Sequence, residues 1–390
     1  VMENRTVMKN KDNMIEENSV NMNNNNENSV TNTNSTNTNT NPTNTNTNPT
    51  NSTNTTANTT NYIEERIEYK IYSHISEQLD ISNFVPRNYY ELRNYCYYGY
   101  SNALLRPKFW KLLLGYLPKN KFKTEYHLKE RRKLYHFYYE KANAVLMDNP
   151  GIDDAINKDV DRVCILPVTV GVHDGSIAQK CSFLDSCADR MHRNALKRIL
   201  LTFKVTNSSV GYTQGMHMVL IPIYYVFSTS KDIDDVRYAE EDAFFCFFNL
   251  MSEIGEHFIS EYDYDCTVGI RKKMDSVLEL VRRYDAELYA VMERKKISET
   301  MFHLRWVSLL LCSEFEIEQV LVLWDKLFAD SYRFEMVIYC CAAIIVLMKN
   351  AIVESGFDEC MGVLQATKKD DVLTVFALAD KMRREYNGDQ

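Results

Sequence analysis

From Tyr62 onward, apolar residues recur at the three- and four-residue spacing of amphipathic helices rather than at the alternation of strands. Met274, Val277, Leu278, Val281, Tyr284, Leu288 and Val291 form one stripe, with Arg271, Lys272, Arg282, Arg283 and Glu287 between them. That pattern predicts a single amphipathic helix of more than about five turns. Similar patterns predict helices over Phe122 to Met147, Phe183 to Phe203, Met216 to Phe227, Ala243 to Phe258, Val320 to Phe328, Met336 to Lys349 and Val372 to Arg384. Turn signals separate them at Asn149-Pro150-Gly151, Gly171 to Gly175, Ser228 to Asp235 and Asp330-Ser331. No fixed period of the solenoid kind is present. The apolar run Met336 to Met348 falls short of the roughly 20 residues a membrane span needs, so it reads as a buried core helix.

Ahead of Tyr62 the pattern vanishes. Between Thr31 and Thr60, 25 of 30 residues are Asn or Thr, and Ala57 is the one apolar position. Such a stretch has nothing to bury against the entropy of ordering it, so residues 1–61 are expected to be a disordered tail, followed by a leading helical segment at 62–86. Its Asn-x-Ser/Thr patterns read as a by-product of composition, since no secretory apolar region precedes them. The chain opens on Val1-Met2, so a native amino terminus elsewhere is expected.

Composition then narrows the class. Gly (12) and Pro (8) are scarce, and none of the 168 residues after Pro222 is Pro, which disfavours turn-rich β architectures and points to an all-α fold. A net charge of −8 argues against general nucleic-acid binding. The basic runs at Lys119 to Lys133 and Arg190 to Arg198 accordingly read as solvated helix faces. Ten Cys and eight His lack Cys-x-x-Cys or His-Glu-x-x-His spacing, so neither a metal site nor a disulfide framework is expected, and a reducing cytoplasmic setting fits. Without a Walker loop or Gly-x-Gly-x-x-Gly, the chain is expected to bind no nucleotide itself. A His173-Asp174 pair matches the dipeptide of helical metal phosphohydrolases but has no evident partner ligands.

Two segments carry more chemistry. In Ile156-x-x-Asp159-Val160-x-Arg162-Val163, the residues Ile156, Val160 and Val163 share one helical face, while Arg162 points away from it. Asp159, three residues earlier, is within reach of the Arg162 guanidinium and would pre-orient it; an ordinary surface ion pair is the plainer alternative. In Val210-Gly-Tyr212-Thr-Gln214-Gly215-Met216, two glycines flank a lone Gln where a polar loop enters an apolar helix. That is a place where a partner's backbone can approach closely, or where the Gln simply caps the helix. In Leu323-Trp324-Asp325, a buried Trp is followed by an Asp expected to bond to a helix end.

Taken in order, Arg106-x-x-x-Trp110 with Leu113-Leu114-Gly115, Ile156-x-x-Asp159-x-x-Arg162, Tyr212-x-Gln214-Gly215-Met216, Arg305-Trp306 and Leu323-Trp324-Asp325 resemble the motifs of TBC domains, the GTPase-activating domains for Rab proteins. The runs Ala243 to Ile254 and Leu327 to Phe334 are most similar to the subfamily of TBC member thirteen. The resemblance extends over residues 87–386. It implies an amino-terminal subdomain (87–230) carrying both catalytic fingers and a carboxy-terminal one (231–386). It further implies that Arg162 and Gln214 are inserted in trans into a GTP-bound Rab, with Asp159, Tyr212 and Gly215 positioning them. Arg106, Trp110, Ile156, Arg305, Trp306, Trp324 and Asp325 would then be structural. Mg²⁺ and GTP are expected on the Rab and no cofactor on this chain, which would act as an activator rather than an enzyme. A monomer peripheral to endomembranes through its Rab is expected, with no nucleic-acid partner and no membrane span. The alternative is a catalytically weak Rab-binding scaffold. One residue departs from the family pattern: the Thr that usually follows the arginine is Val163 here.

Overall fold

The computed structural model describes residues 89–99, 103–118, 123–162, 167–168, 181–182, 187–258, 269–366 and 371–388. Helices α1 (Tyr89–Tyr98), α2 (Arg106–Leu113), α3 (Thr124–Asp148), α4 (Asp154–Arg162) and α5 (Cys187–Thr206) come first. Then follow α6 (Met216–Ser228), α7 (Ile233–Arg237), α8 (Ala239–Ile254) and a 3-10 turn at Gly255–Phe258. The remaining helices are α9 (Gly269–Tyr284), α10 (Ala286–Arg294), α11 (Leu304–Ser308), α12 (Ile317–Ala329), α13 (Met336–Leu347), α14 (Lys349–Glu354), α15 (Phe357–Gln365) and α16 (Val372–Gly388). Among the described residues, strand is confined to one antiparallel pair, Pro167–Val168 against Cys181–Ser182. The all-α expectation holds. The tail at 1–61, the segment at 62–86, Val163 and His173-Asp174 lie outside the described residues.

The long stripe from Met274 to Val291 is split. Asp285 leaves helical geometry (φ −143°, ψ 83°) and caps α10 by accepting a hydrogen bond from the Leu288 N–H. The 3.6-residue rhythm survives because a single residue separates α9 from α10, so Val281 and Leu288 are both buried. The apolar run at Met336 is buried almost all round, as expected of a core helix, and packs against α9 and α16. In α6, Pro222 lacks the N–H that would bond to the Met218 carbonyl four residues earlier. The Cys312 thiol, 3.4 Å from that oxygen, takes its place as donor.

Two buried carboxylates tie distant helices. Asp325 of α12 binds the side chains at the start of α2. It accepts from Arg106 (2.9 Å) and from the Trp110 indole N–H (2.6 Å), joining α12 to α2, while Trp324 donates to the Leu310 carbonyl. Arg106 and Trp110 one turn apart on α2 form the cradle, a tertiary arrangement the local pattern does not encode. Asp242 of α8, fully buried, accepts from Lys111, Arg132 and the Tyr116 hydroxyl at 2.6–2.9 Å. The basic runs therefore are not wholly solvated: Lys129 and Lys133 face water, but Arg132 and Arg198 turn inward to Asp242 and Glu240. An inward guanidinium is favoured where a buried carboxylate must be matched. Arg305 pairs with the buried Glu314 at 2.8 Å, and Trp306 is buried in the same core as Trp110 and Trp324.

Candidate functional site

α4 carries the first functional side chain. Ile156 and Val160 are fully buried, fixing which face of the helix looks inward, and Arg162 at the opposite aspect of the last turn is exposed. Among the described residues Arg162 has no polar partner. Asp159 is buried and does not turn to Arg162: its Oδ2 accepts from the Tyr212 hydroxyl at 2.7 Å. It also lies 3.7 Å from Nδ1 of His217. The burial of Asp159 against α6 explains the difference, because a carboxylate facing inward must take an inward donor.

Tyr212 opens the second functional segment. With its proton given to Asp159, its oxygen can only accept from His217, 3.1 Å away, which assigns His217 the Nδ1–H tautomer. Burial raises the Tyr212 pKa, reinforced by the Asp159 bond, so the hydroxyl stays protonated. Burial also lowers that of His217, against the pull of Asp159, which keeps the imidazole neutral. The chain then turns through Gln214, exposed, into α6. Gln214 does not cap that helix; Gly215 is the cap residue, and no side chain bonds there. Gly215 has φ +101°, and a Cβ at this position would meet the Leu309 side chain at 3.1 Å. Both the left-handed backbone and the close approach demand glycine. The brace behind it is itself unusual, since Leu310 and Leu311 both adopt positive φ (50° and 61°). On the other side, Thr213 Oγ1 bonds to the Phe258 carbonyl of the 3-10 turn at 3.3 Å.

The structure thus brings Asp159 and Tyr212 together, and with them the segments bearing Arg162 and Gln214, each on an exposed position over a fixed base. Arg106, Trp110, Arg305, Trp306, Trp324 and Asp325 lie in the supporting core. Sequence reasoning missed His217 and the donors of α5 that hold α4. His217 carries a faint signal, a polar residue in an otherwise apolar helix start; the α5 donors carry none in isolation. Among the described residues no group of His, Cys, Asp and Glu could hold a metal ion, and no helix is long and apolar enough to cross a membrane.

The helical domain thus presents an arginine without a polar partner among the described residues and an exposed glutamine, on two segments joined by the Asp159–Tyr212 bond. The family model described as the Rab-GTPase-TBC domain matches residues 104–353, and the chain belongs to that family. It is 35% identical over 192 residues to TBC1 domain family member 13 of Mus musculus and of Homo sapiens, covering 49% of this chain and 48% of each relative. The expected kinship with the member-thirteen subfamily holds. The GTPase-activating protein GYP1 of Saccharomyces cerevisiae is 25% identical, over 58% of this chain and 35% of that protein. Among solved structures, the Ypt/Rab-GAP domain of Gyp1p superposes with a TM-score of 0.66 at 22% identity, covering 83% of this chain and 99% of that one, which supports the fold. The chain spans about half the length of the member-thirteen relatives it matches.

Proposed function

We propose that this chain stimulates GTP hydrolysis by a Rab-family GTPase in its GTP form, inserting Arg162 and Gln214 in trans. The observation that carries the reading is the state of Arg162: exposed, without a polar partner among the described residues, on a helix whose inner face is fixed. Negative charge develops on the transferring phosphoryl group, and a guanidinium supplied from outside is worth roughly 10³ to 10⁵ in rate. Its planar fork suits phosphate oxygens in a way lysine does not copy. Gln214 would orient the attacking water. Asp159, Tyr212 and Gly215 would fix the two segments relative to each other, within an amino-terminal half (87–230) that carries both fingers. Mg²⁺ and GTP would arrive with the Rab, and membrane contact would be indirect, through the Rab. Val163 in place of the family's Thr favours the second reading, a Rab-binding scaffold of little catalytic power.

Single-turnover hydrolysis by a full panel of GTP-loaded Rabs separates the two. At least one should be accelerated by the full chain. Arg162→Lys should then remove most of the acceleration while leaving binding of that Rab nearly intact. Binding without acceleration anywhere in the panel would establish the scaffold, and full activity of Arg162→Lys would show that Arg162 is not the finger.

A further inference from the structure

Arg193, Lys197, Leu200 and Lys204 are spaced by four, three and four residues, so they form a single stripe along α5. That stripe faces α4, which packs on α5, and holds it at both ends. Lys204 Nζ donates to the Ile152 carbonyl just ahead of α4, at 2.6 Å. Lys197 Nζ lies 2.8 Å from Asp161 Oδ1. Arg193 donates through one nitrogen to the Val160 carbonyl at 2.7 Å and to the Asp161 carbonyl at 3.3 Å. The order 204, 197, 193 against 152, 161, 160 shows that the two helices run antiparallel.

The Arg193 contacts fall on particular atoms. The last carbonyls of a helix have no intrahelical donor and form its negative end. Left open, those of Val160 and Asp161 would be bare acceptors on the very turn that carries Arg162. Arg193 fills them. It thereby holds the last turn, and the backbone that carries Arg162, against fraying. Lys197 contributes less, because its partner Asp161 is more than half exposed and such pairs are weak.

We propose that Arg193 is a positioning residue for Arg162, acting through the backbone of the last turn of α4 and not by touching the partner. The proposal rests on the reading of Arg162 as the finger. Its consequence is a split in kinetics. Pre-organisation of a reacting group lowers the barrier without adding to binding of the ground state.

The test uses the full chain and a Rab that the unaltered protein accelerates. Arg193→Met keeps the aliphatic stem and loses the donors; Arg193→Lys keeps one donor. Arg193→Met should lower the maximal single-turnover rate about tenfold, move half-saturation by less than about twofold, and be largely rescued in Arg193→Lys. In an Arg162→Ala background, Arg193→Met should cause no further loss. An unchanged maximal rate, a shift confined to half-saturation, or the same loss repeated in the Arg162→Ala background would overturn the proposal. Hydrogen exchange gives a readout that needs no Rab: amides at 159–162 should exchange faster in Arg193→Met while those of α5 keep their protection. Unchanged exchange at 159–162 would overturn the clamp itself. Failure of the unaltered protein on every Rab would instead refute the finger reading of Arg162, with exchange still judging the clamp.

Discussion

At the scale of single residues, the Tyr212 hydroxyl carries an unusual share of the site. It joins the segment bearing Arg162 to the segment bearing Gln214 through one 2.7 Å bond to a carboxylate that is otherwise buried. Among the described residues Asp159 has one further polar side-chain neighbour, His217, which burial keeps neutral and which therefore does not neutralise it. Tyr212→Phe preserves the ring and removes the only proton donated to Asp159 at hydrogen-bond distance by a side chain among the described residues. Leaving a buried charged acceptor without its donor costs about 1–3 kcal/mol. The expected result is a loss of that size in denaturant unfolding. A fall in Rab stimulation should accompany it even though both fingers are intact. Unfolding midpoints equal to those of the unaltered protein would show that Asp159 finds water or His217 instead, and the bond would lose its assigned importance.

At the scale of elements, Asp285 decides where one helix ends and the next begins. It caps α10 through the Leu288 N–H and pairs with Lys349 of α14 at 2.8 Å. Burial works against its charge, yet Lys349 and the backbone donors hold its carboxyl below the usual range. Asp285→Ala should cost about 1–2 kcal/mol, the range for loss of a cap. Asp285→Asn, which keeps the acceptor, should recover a good part of that in thermal melts; equal losses in the two variants would place the effect on Lys349 rather than the cap. The same residue shows what could and could not be read in advance. Periodicity revealed the buried faces on both sides of Asp285, because burial depends on spacing, and it gave α4 its inward Ile156 and Val160 for the same reason. It ran the two helices together because a one-residue interruption barely shifts the phase. Asp159 was read as a local partner of Arg162 and proved tertiary, and the partners of Asp325 could not be named: they come from 53 and from 215 or more residues away, brought near by packing that no local window contains. The exposed Arg162 was legible, since it needs only a helix and a face. The α5 donors that hold its helix were not, since a cation on a surface stripe looks the same whether or not a helix end lies opposite.

At the scale of the whole molecule, the buried histidines make stability depend on pH in one direction. His257, in the 3-10 turn beneath the Gln214 loop, has its pKa lowered from 6.5 to about 4, first by burial and then by Lys273, whose Nζ donates to its Nε2 at 2.6 Å. Burial lowers His217 and His303 in the same sense. A histidine that is harder to protonate folded than unfolded binds fewer protons in the native state. Its stabilisation is complete above the unfolded value of 6.5 and is lost as pH falls from there toward 4. For His257 alone the full span is worth about 3 kcal/mol. Glu256, held below its usual range chiefly by Lys273, adds a loss of the same sign at the lower end, as its carboxylate is protonated. The share of the unfolding free energy that these groups supply should therefore drop between pH 6.5 and 4.5, opposed by groups such as Glu241, whose pKa burial raises. His257→Gln, which can still accept from Lys273 but cannot take up a proton, should flatten that slope while His217 and His303 keep part of it. Chemical denaturation of both proteins at half-unit steps of pH decides the matter. Parallel profiles would mean that His257 titrates normally in the folded chain and that the turn beneath the Gln214 loop is open to water. Because Thr213 is bonded to that turn through the Phe258 carbonyl, the hydrogen-exchange protection of residues 210–216 should fall over the same pH range and recover in His257→Gln.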